Sequence, residues 1–347
     1  MTRPNAGRVA PEPRRTTGAP ALGQQIVGEP RTARIAVDLL GGDQAPAVVV
    51  DGALRACQAD PSLQLLLVGP VDAAGAMLDA LDPADHARVG TLPIPDERIV
   101  DETLSAHAES WVESGVRTAV LAVAQGIADA VVSAGNTGAT VTSAALGLGR
   151  WPGVRRPPLA AVLPTAAGRL VLLDVGSSVD PDEQTLAMHA RLGAAYAAVV
   201  HEVAQPRVGL LTIGTERGKG DRLRRALPSI LARLDLPAGA RYAGLVEGND
   251  VVLGALADVV VTDGFTGNIL LKGLETAYAT IGPPDTSPLE VPPRAAILLG
   301  VSGTVVVCHG SASGPDVAAG IALAARLHRR GAVAAIAEMI PHNEVSP

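Results

Sequence analysis

From residue 34 onward, short uninterrupted apolar runs alternate with alanine-rich stretches of helical period, and this alternation restricts the fold more than any other feature. Runs at 35–39, 65–68, 130–132, 170–173, 208–213, 259–261 and 304–307 are continuous instead of alternating, the mark of strands buried on both faces. Burial on both faces needs helices above and below the sheet. Segments 116–125, 183–203, 222–234 and 317–329 supply them. The βαβα order predicts an α/β fold, a mainly parallel sheet with flanking helices. Stretches 152–158 and 282–293 are rich in proline and read as loops.

The way the strands end carries the functional signal. Five run into small, polar, glycine-containing turns: Ser133-Ala134-Gly135-Asn136-Thr137-Gly138, Asp174-Val175-Gly176-Ser177-Ser178, Ile213-Gly214-Thr215-Glu216, Thr262-Asp263-Gly264-Phe265-Thr266-Gly267-Asn268 and His309-Gly310-Ser311. The first strand adds Asp38-Leu39-Leu40-Gly41-Gly42-Asp43. In parallel α/β sheets the carboxyl ends of strands form the ligand crevice. Glycine lets backbone approach closely, and a following helix offers unpaired N–H groups to an anion. Six such turns predict one shared anion site.

Other chemistries lose ground. The chain has no GxxxxGK[ST], no GxGxxG after a strand, no GxSxG and no HExxH. Neither a cofactor nor a metal is expected. Cys57 and Cys308 lie in apolar segments without CxxC spacing and read as small buried hydrophobes of a reducing compartment. The net charge is −7, although residues 1–32 carry five arginines against two glutamates. The acidic excess therefore belongs to the folded part, and with two Trp, three Tyr and one Phe to stack on bases, nucleic acid is not expected as a partner. Residues 1–32 read as a disordered tail, 33–335 as one α/β domain and 336–347 as a C-terminal tail. No apolar stretch reaches the ~20 residues that span a bilayer, so a soluble cytoplasmic protein is expected. The basic residues are almost all arginine. Only Lys219 and Lys272 are lysines, which singles them out as compact ammonium groups at an anion site.

At these same turns the sequence resembles the bacterial phosphate acyltransferase family. The matching text is Ile35-Ala-Val-Asp-Leu-Leu-Gly-Gly-Asp-Gln-Ala-Pro46, Ala128-Asp-Ala-Val-Val-Ser-Ala-Gly-Asn-Thr-Gly-Ala139 and Leu172-Leu-Asp-Val-Gly-Ser-Ser-Val-Asp180. It continues through Pro206-Arg-Val-Gly-Leu-Leu-Thr-Ile-Gly214, Glu247-Gly-Asn-Asp250, Asp263-Gly-Phe-Thr-Gly-Asn268 with Leu271-Lys272, and Leu298-Leu-Gly-Val-Ser-Gly303 with His309-Gly-Ser311. The resemblance implies a fold like that of the isocitrate and isopropylmalate dehydrogenases. It also implies formation of acyl phosphate from acyl-acyl-carrier protein and inorganic phosphate, for phospholipid synthesis. A homodimer, possible peripheral membrane contact and a membrane acyltransferase that hands the acyl group to glycerol 3-phosphate are implied as well.

Under that reading Gly135, Thr137, Gly138, Asp263, Gly264 and Gly267 hold phosphate. Lys272 neutralises its charge, and Asn136, Asn268 or Lys219 donate to the thioester oxyanion. His309 protonates the leaving thiolate or merely packs in its loop. Asp38, Gly41, Gly42, Asp43 and Asp174 orient the loops. Two stretches depart from the family pattern. Glu109 and Glu113 stand where basic residues would meet an acidic carrier protein, with Arg150, Arg155 and Arg156 as candidate replacements. Residues 282–293 replace a long helical insertion with proline-rich chain. The alternatives are a non-catalytic regulatory or binding paralogue, and a phosphotransacetylase-like enzyme using a small acyl-CoA.

Overall fold

The structure, a computed structural model, describes residues 31–94 (except 71, 73, 74, 76, 77 and 80), 107–216, 218–282 and 295–340, with 107–114 as backbone only. The expected N-terminal tail falls outside these residues, save its last two, as do the replaced insertion at 283–293 and the side chains of Glu109 and Glu113.

Eleven strands form one sheet: β1 (Ala33–Asp38), β2 (Leu63–Val68), β3 (Val89–Leu92), β4 (Ala130–Ser133), β5 (Leu159–Thr165), β6 (Gly168–Leu173), β7 (Arg207–Leu211), β8 (Arg241–Val246), β9 (Val259–Val261), β10 (Ala295–Leu298) and β11 (Thr304–Cys308). Their order across the sheet is β3-β2-β1-β4-β11-β10-β5-β6-β9-β7-β8. All seven expected runs are strands. The sequence did not signal β3, β5, β8 or β10. β5 and β10 each follow a proline-rich stretch, and β8 carries exposed and half-buried residues that blur its apolar pattern.

Pairing is parallel within β3-β2-β1-β4-β11 and within β6-β9-β7-β8. In the middle it reverses three times: β10 is antiparallel to β11 and to β5, and β5 is antiparallel to β6 through the Gly168 hairpin. An odd number of reversals turns the two parallel halves to opposite directions. The sheet is thus mostly parallel but mixed. The glycine turns consequently form two sets at opposite ends of the sheet, those after β1, β4 and β11 and those after β6, β7 and β9. The single crevice expected from six parallel strand ends is corrected to two loop clusters.

Helices cover both faces. Side chains alternate along each strand, so Ile35 and Val37 enter one apolar cluster and Ala36 the other. The first cluster is closed by α1 (Ala47–Ala59), α5 (Glu183–His201), α6 (Arg222–Leu231), α9 (Gly314–Arg329) and α10 (Ala332–Met339). α3 (His107–Ala124), α4 (Thr137–Gly147), α7 (Gly248–Leu253) and α8 (Gly264–Ile281) lie over the second. A short α2 (Pro83–His86) precedes β3. Ile336 and Ile340 are buried in the first cluster, so the packed chain runs past the boundary expected at 335.

The seating of α8 decides where the site forms. Among its residues only Gly264 and Gly267 are buried. A Cβ on Gly264 would stand 2.9 Å from the Ser178 backbone, and one on Gly267 would stand 1.9 Å from the Asp174 carbonyl oxygen. The helix therefore begins pressed onto the loop after β6 and leaves the sheet further along. Gly267→Ala should lower unfolding free energy by at least ~2 kcal/mol, because the obstacle is backbone that cannot rotate away. Gly273→Ala on the same helix meets no atom within 4 Å and should instead stabilise by ~0.5–1 kcal/mol. Urea unfolding of the two variants measures both.

Candidate active site

The first loop cluster is built on a buried carboxyl. Asp38, at the end of β1, is 1% exposed; its Oδ2 accepts a hydrogen bond from Ser133 Oγ at 2.8 Å and its Oδ1 accepts from the Leu40 N–H at 3.1 Å. Ser133 Oγ in turn accepts the Gly135 N–H at 3.1 Å. Gly41 packs so tightly that a Cβ there would lie 2.5 Å from the Gly135 nitrogen. Asp43 donates its N–H to the Gly310 carbonyl at 2.7 Å, and Gly42, at φ +113°, takes a left-handed turn against the same carbonyl. Asp38, Gly41, Gly42 and Asp43 thus lock three loops to one another. Burial pushes the Asp38 carboxyl up to about 6, against the opposing hydrogen bonds from Ser133 and Leu40.

This locking sets the start of α4. Asn136 is its N-cap: the side-chain oxygen accepts the Ala139 N–H at 2.9 Å. Thr137 and Gly138 are the first two helical residues, whose N–H groups have no carbonyl within the helix to meet. Gly138 is exposed and Thr137 half-buried. The Gly135 amide is already bonded to Ser133, which leaves the Thr137 and Gly138 amides as the open ones of this turn.

The second cluster behaves differently from expectation. Asp263 caps α8, accepting from the Thr266 N–H at 2.8 Å and Thr266 Oγ1 at 2.9 Å, and pairs with the buried Arg224 guanidinium. Burial works to raise this carboxyl, but the bonds from Thr266 and Arg224 outweigh it and hold it below the usual range. A carboxylate so committed repels phosphate. Gly264 donates its N–H to the Ser178 carbonyl at 2.7 Å, and Gly267 donates to the Asp263 carbonyl at 3.0 Å. Neither amide is left for an anion, and these three residues are corrected to a fold-bearing part. Asp174, fully buried, accepts the N–H groups of Leu159, Gly176, Ser177 and Ser178 and so shapes the loop that seats α8. Sequence reasoning missed Arg224 and Ser133. The spacing Asp221–Arg224, an i, i+3 ion pair, was a visible but unspecific sign of the first.

Further along α8 the two clusters meet. Asn268 Nδ2 donates to the Val175 carbonyl at 2.9 Å. One turn on, Lys272 Nζ lies 2.5 Å from Nε2 of His309, which follows β11 in the first cluster. His309 Nδ1 is 2.7 Å from Ser311 Oγ and 3.2 Å from the Ser311 N–H. Toward the Lys272 ammonium, which has only protons to offer, Nε2 is the acceptor, and the Ser311 hydroxyl and N–H hold the opposite edge of the ring. His309 thereby aims Lys272.

Lys219 lies elsewhere. It is half-exposed in the loop after β7, 3.8 Å from Glu216, and no described contact joins it to Lys272. Of the three arginines, Arg155 pairs with Asp182 at 3.0 Å and Arg150 donates to the Arg155 carbonyl, whereas Arg156 is exposed. Cys308 is buried and its thiol pushed up to about 12 by that burial, so it stays protonated as an apolar wall group.

Thr137, Asn268 and His309 together border a cavity of about 210 Å³ between α8 and the sheet. The first helical residue of α4 and the histidine that meets Lys272 therefore share the border of one recess. The family model described as "Fatty acid synthesis protein" matches residues 33–283. A phosphate acyltransferase of Thermobifida fusca is 38% identical over 323 residues, covering 84% of this chain and 87% of the relative. The chain belongs to the phosphate acyltransferase family. A second family member, from Brevibacillus brevis, is 40% identical over 249 residues and covers 72% of each chain. A branched-chain phosphotransacylase from Enterococcus faecalis (TM-score 0.58, 17% identity, 85% of this chain and 99% of that one) has the same fold. So does a 4-hydroxythreonine-4-phosphate dehydrogenase from Klebsiella pneumoniae (TM-score 0.54, 15% identity, 87% and 99%), in keeping with the dehydrogenase-like fold the resemblance implied. Like its relatives, this family member is an acyltransferase.

The Asp38 carboxyl gives a pH test of the first cluster. Its folded value of about 6 lies above the ordinary 3.8. Its contribution to stability is therefore full below pH ~4 and is lost as pH climbs through 6, a change of about 3 kcal/mol. Asp38→Asn should remove that slope, so the stability gap between wild type and variant moves against the wild type from pH 4 to 7. Urea unfolding across that range measures it.

Proposed function

We propose that the chain transfers an acyl group from an acyl-carrier-protein thioester to inorganic phosphate, supplying acyl phosphate for phospholipid synthesis. The observation that carries this is the Lys272–His309 pair beside the open N-terminus of α4, at the rim of an apolar cavity. Phosphate sits on the Thr137 and Gly138 amides with the Lys272 ammonium facing it, so two attractive fields act on one dianion. A phosphate oxygen forms a bond to the thioester carbonyl carbon and the carbon–sulfur bond breaks. The thiolate leaves with a proton from the Lys272 ammonium, which regains one from solvent. Orientation supplies much of the rate, because phosphate is a competent nucleophile once held in line. Asn136 and Asn268 stand by for the carbonyl oxygen, although each spends one side-chain group on the fold. His309 is a positioning residue for Lys272.

The non-catalytic reading is not favoured, since relatives named phosphate acyltransferase match over most of the chain. The acidic carrier protein, the homodimer and a cytoplasmic place at the membrane surface are proposed with the activity. Among the described residues no helix is long and apolar enough to cross a membrane. Phe265 and Ile269, one turn apart on α8 and each more than half exposed, offer apolar surface to a second copy. Acyl phosphate hydrolyses readily, so an acyltransferase that consumes it is the expected downstream partner.

Purified protein incubated with palmitoyl-carrier protein or palmitoyl-CoA plus phosphate should yield acyl phosphate, trapped by hydroxylamine. Absence of hydroxamate with every donor would overturn the reading. Lys272→Met should cut the rate ~10²–10³-fold with an unchanged thermal midpoint. His309→Ala should cost ~10-fold in kcat, and His309→Gln, whose oxygen can still accept from the ammonium, should recover most of it.

A further inference from the structure

The cavity beside the Lys272–His309 pair has a specific origin. β10 and β5 are antiparallel neighbours, and their register sets Ala296 directly opposite Ala161. Both belong to the apolar cluster on the α8 side of the sheet. Leu159 and Leu163 flank Ala161 two residues away on the same face. Two opposed alanines between leucines leave a depression in the sheet surface.

α8 roofs it without filling it. Asn268, Leu271, Glu275 and Tyr278 follow a 3, 4, 3 spacing, which puts them on one helix face, and all four border the cavity. The helix presses on the fold through Gly264 and Gly267 at its start. Near its other end the Tyr278 hydroxyl donates to the Pro164 carbonyl at 3.2 Å, pinning the helix across the recess. One border of the recess is His309, and with it the lysine that faces phosphate in the proposed function.

We infer that this recess receives the acyl chain of the donor and that Ala161 and Ala296 set how much of the chain is held. The inference rests on the acyl-phosphate reading above and adds the site and the length rule. The sheet side of the lining is leucine, alanine, valine and proline, whereas the polar Thr137, Asn268, Glu275, Tyr278 and His309 come from the helices and the end of β11, so an apolar chain fits along the sheet side. The volume, about 210 Å³, decides the length. A dry protein cavity of ~150 Å³ accommodates the six carbons of benzene, so this one holds roughly eight. Carbons beyond that number extend out of the recess and gain little from it.

The rate constant kcat/KM should therefore rise about fourfold per methylene up to roughly eight carbons and flatten beyond. Hydroxamate formation with butyryl, octanoyl, dodecanoyl and palmitoyl thioesters reads this out. Ala296→Phe fills the floor. It should leave the butyryl rate within about threefold and lower the octanoyl rate at least ~30-fold. Ala161→Leu is a gentler filling with the same direction, in case the first variant unfolds. A binding measurement stands apart from turnover: octanoate should raise the thermal midpoint of the wild-type protein at concentrations where acetate does not, and Ala161→Leu should abolish the difference. Equal losses at every chain length, or an unchanged length profile in both variants, would overturn the recess as the acyl site. If the wild type makes no acyl phosphate yet octanoate still stabilises it selectively, the recess stands and the reaction does not. No stabilisation by octanoate overturns the recess whatever the turnover.

Discussion

The contact between the start of α8 and the loop after β6 governs the site. Gly264 and Gly267 admit the Asp174–Ser178 backbone to distances that no other residue tolerates. Asp174 shapes that loop by accepting four backbone N–H groups, and Asp263 fixes the helix end through Thr266 and Arg224. With its first turn held so firmly, α8 becomes a beam. Asn268 and Lys272 then stand at set distances along it, and its middle spans the recess in the sheet.

The sheet supplies the counterpart. Three reversals of strand direction at its centre send the two parallel halves opposite ways, so their loop clusters could not form one crevice. α8 bridges the separation. It begins in the second cluster and reaches the first at His309. Charge is divided accordingly. The second cluster spends its carboxylates on backbone amides and Arg224, whereas the first offers a lysine and the open amides of α4.

Much of the architecture was legible in residues 33–340. Continuous apolar runs identified seven buried strands, because β-strands covered on both faces have no polar alternation to confuse them. Lys272 was legible as one of two lysines, and Thr137 and His309 as helix-start and strand-end chemistry; Lys272 meets His309, and Thr137 and His309 border one recess. Asp263, Gly264 and Gly267 look the same in sequence, yet their groups turn inward. A glycine beside an N-cap aspartate serves equally to cradle an anion or to admit a neighbouring loop, and only the neighbour's position distinguishes them. Arg224 illustrates the converse. An arginine in a basic helix reads as solvated surface, but its guanidinium is drawn into the core by Asp263.

By itself the sequence determined the α/β class, the buried strands and the family, since each of these depends on neighbours along the chain. Tertiary structure alone decided strand polarity, the pairing of Lys272 with His309 across 37 residues, and the opposition of Ala161 to Ala296. Those depend on register between distant strands. A register is set by how whole faces pack, and no local pattern in β5 or β10 records which alanine will meet which.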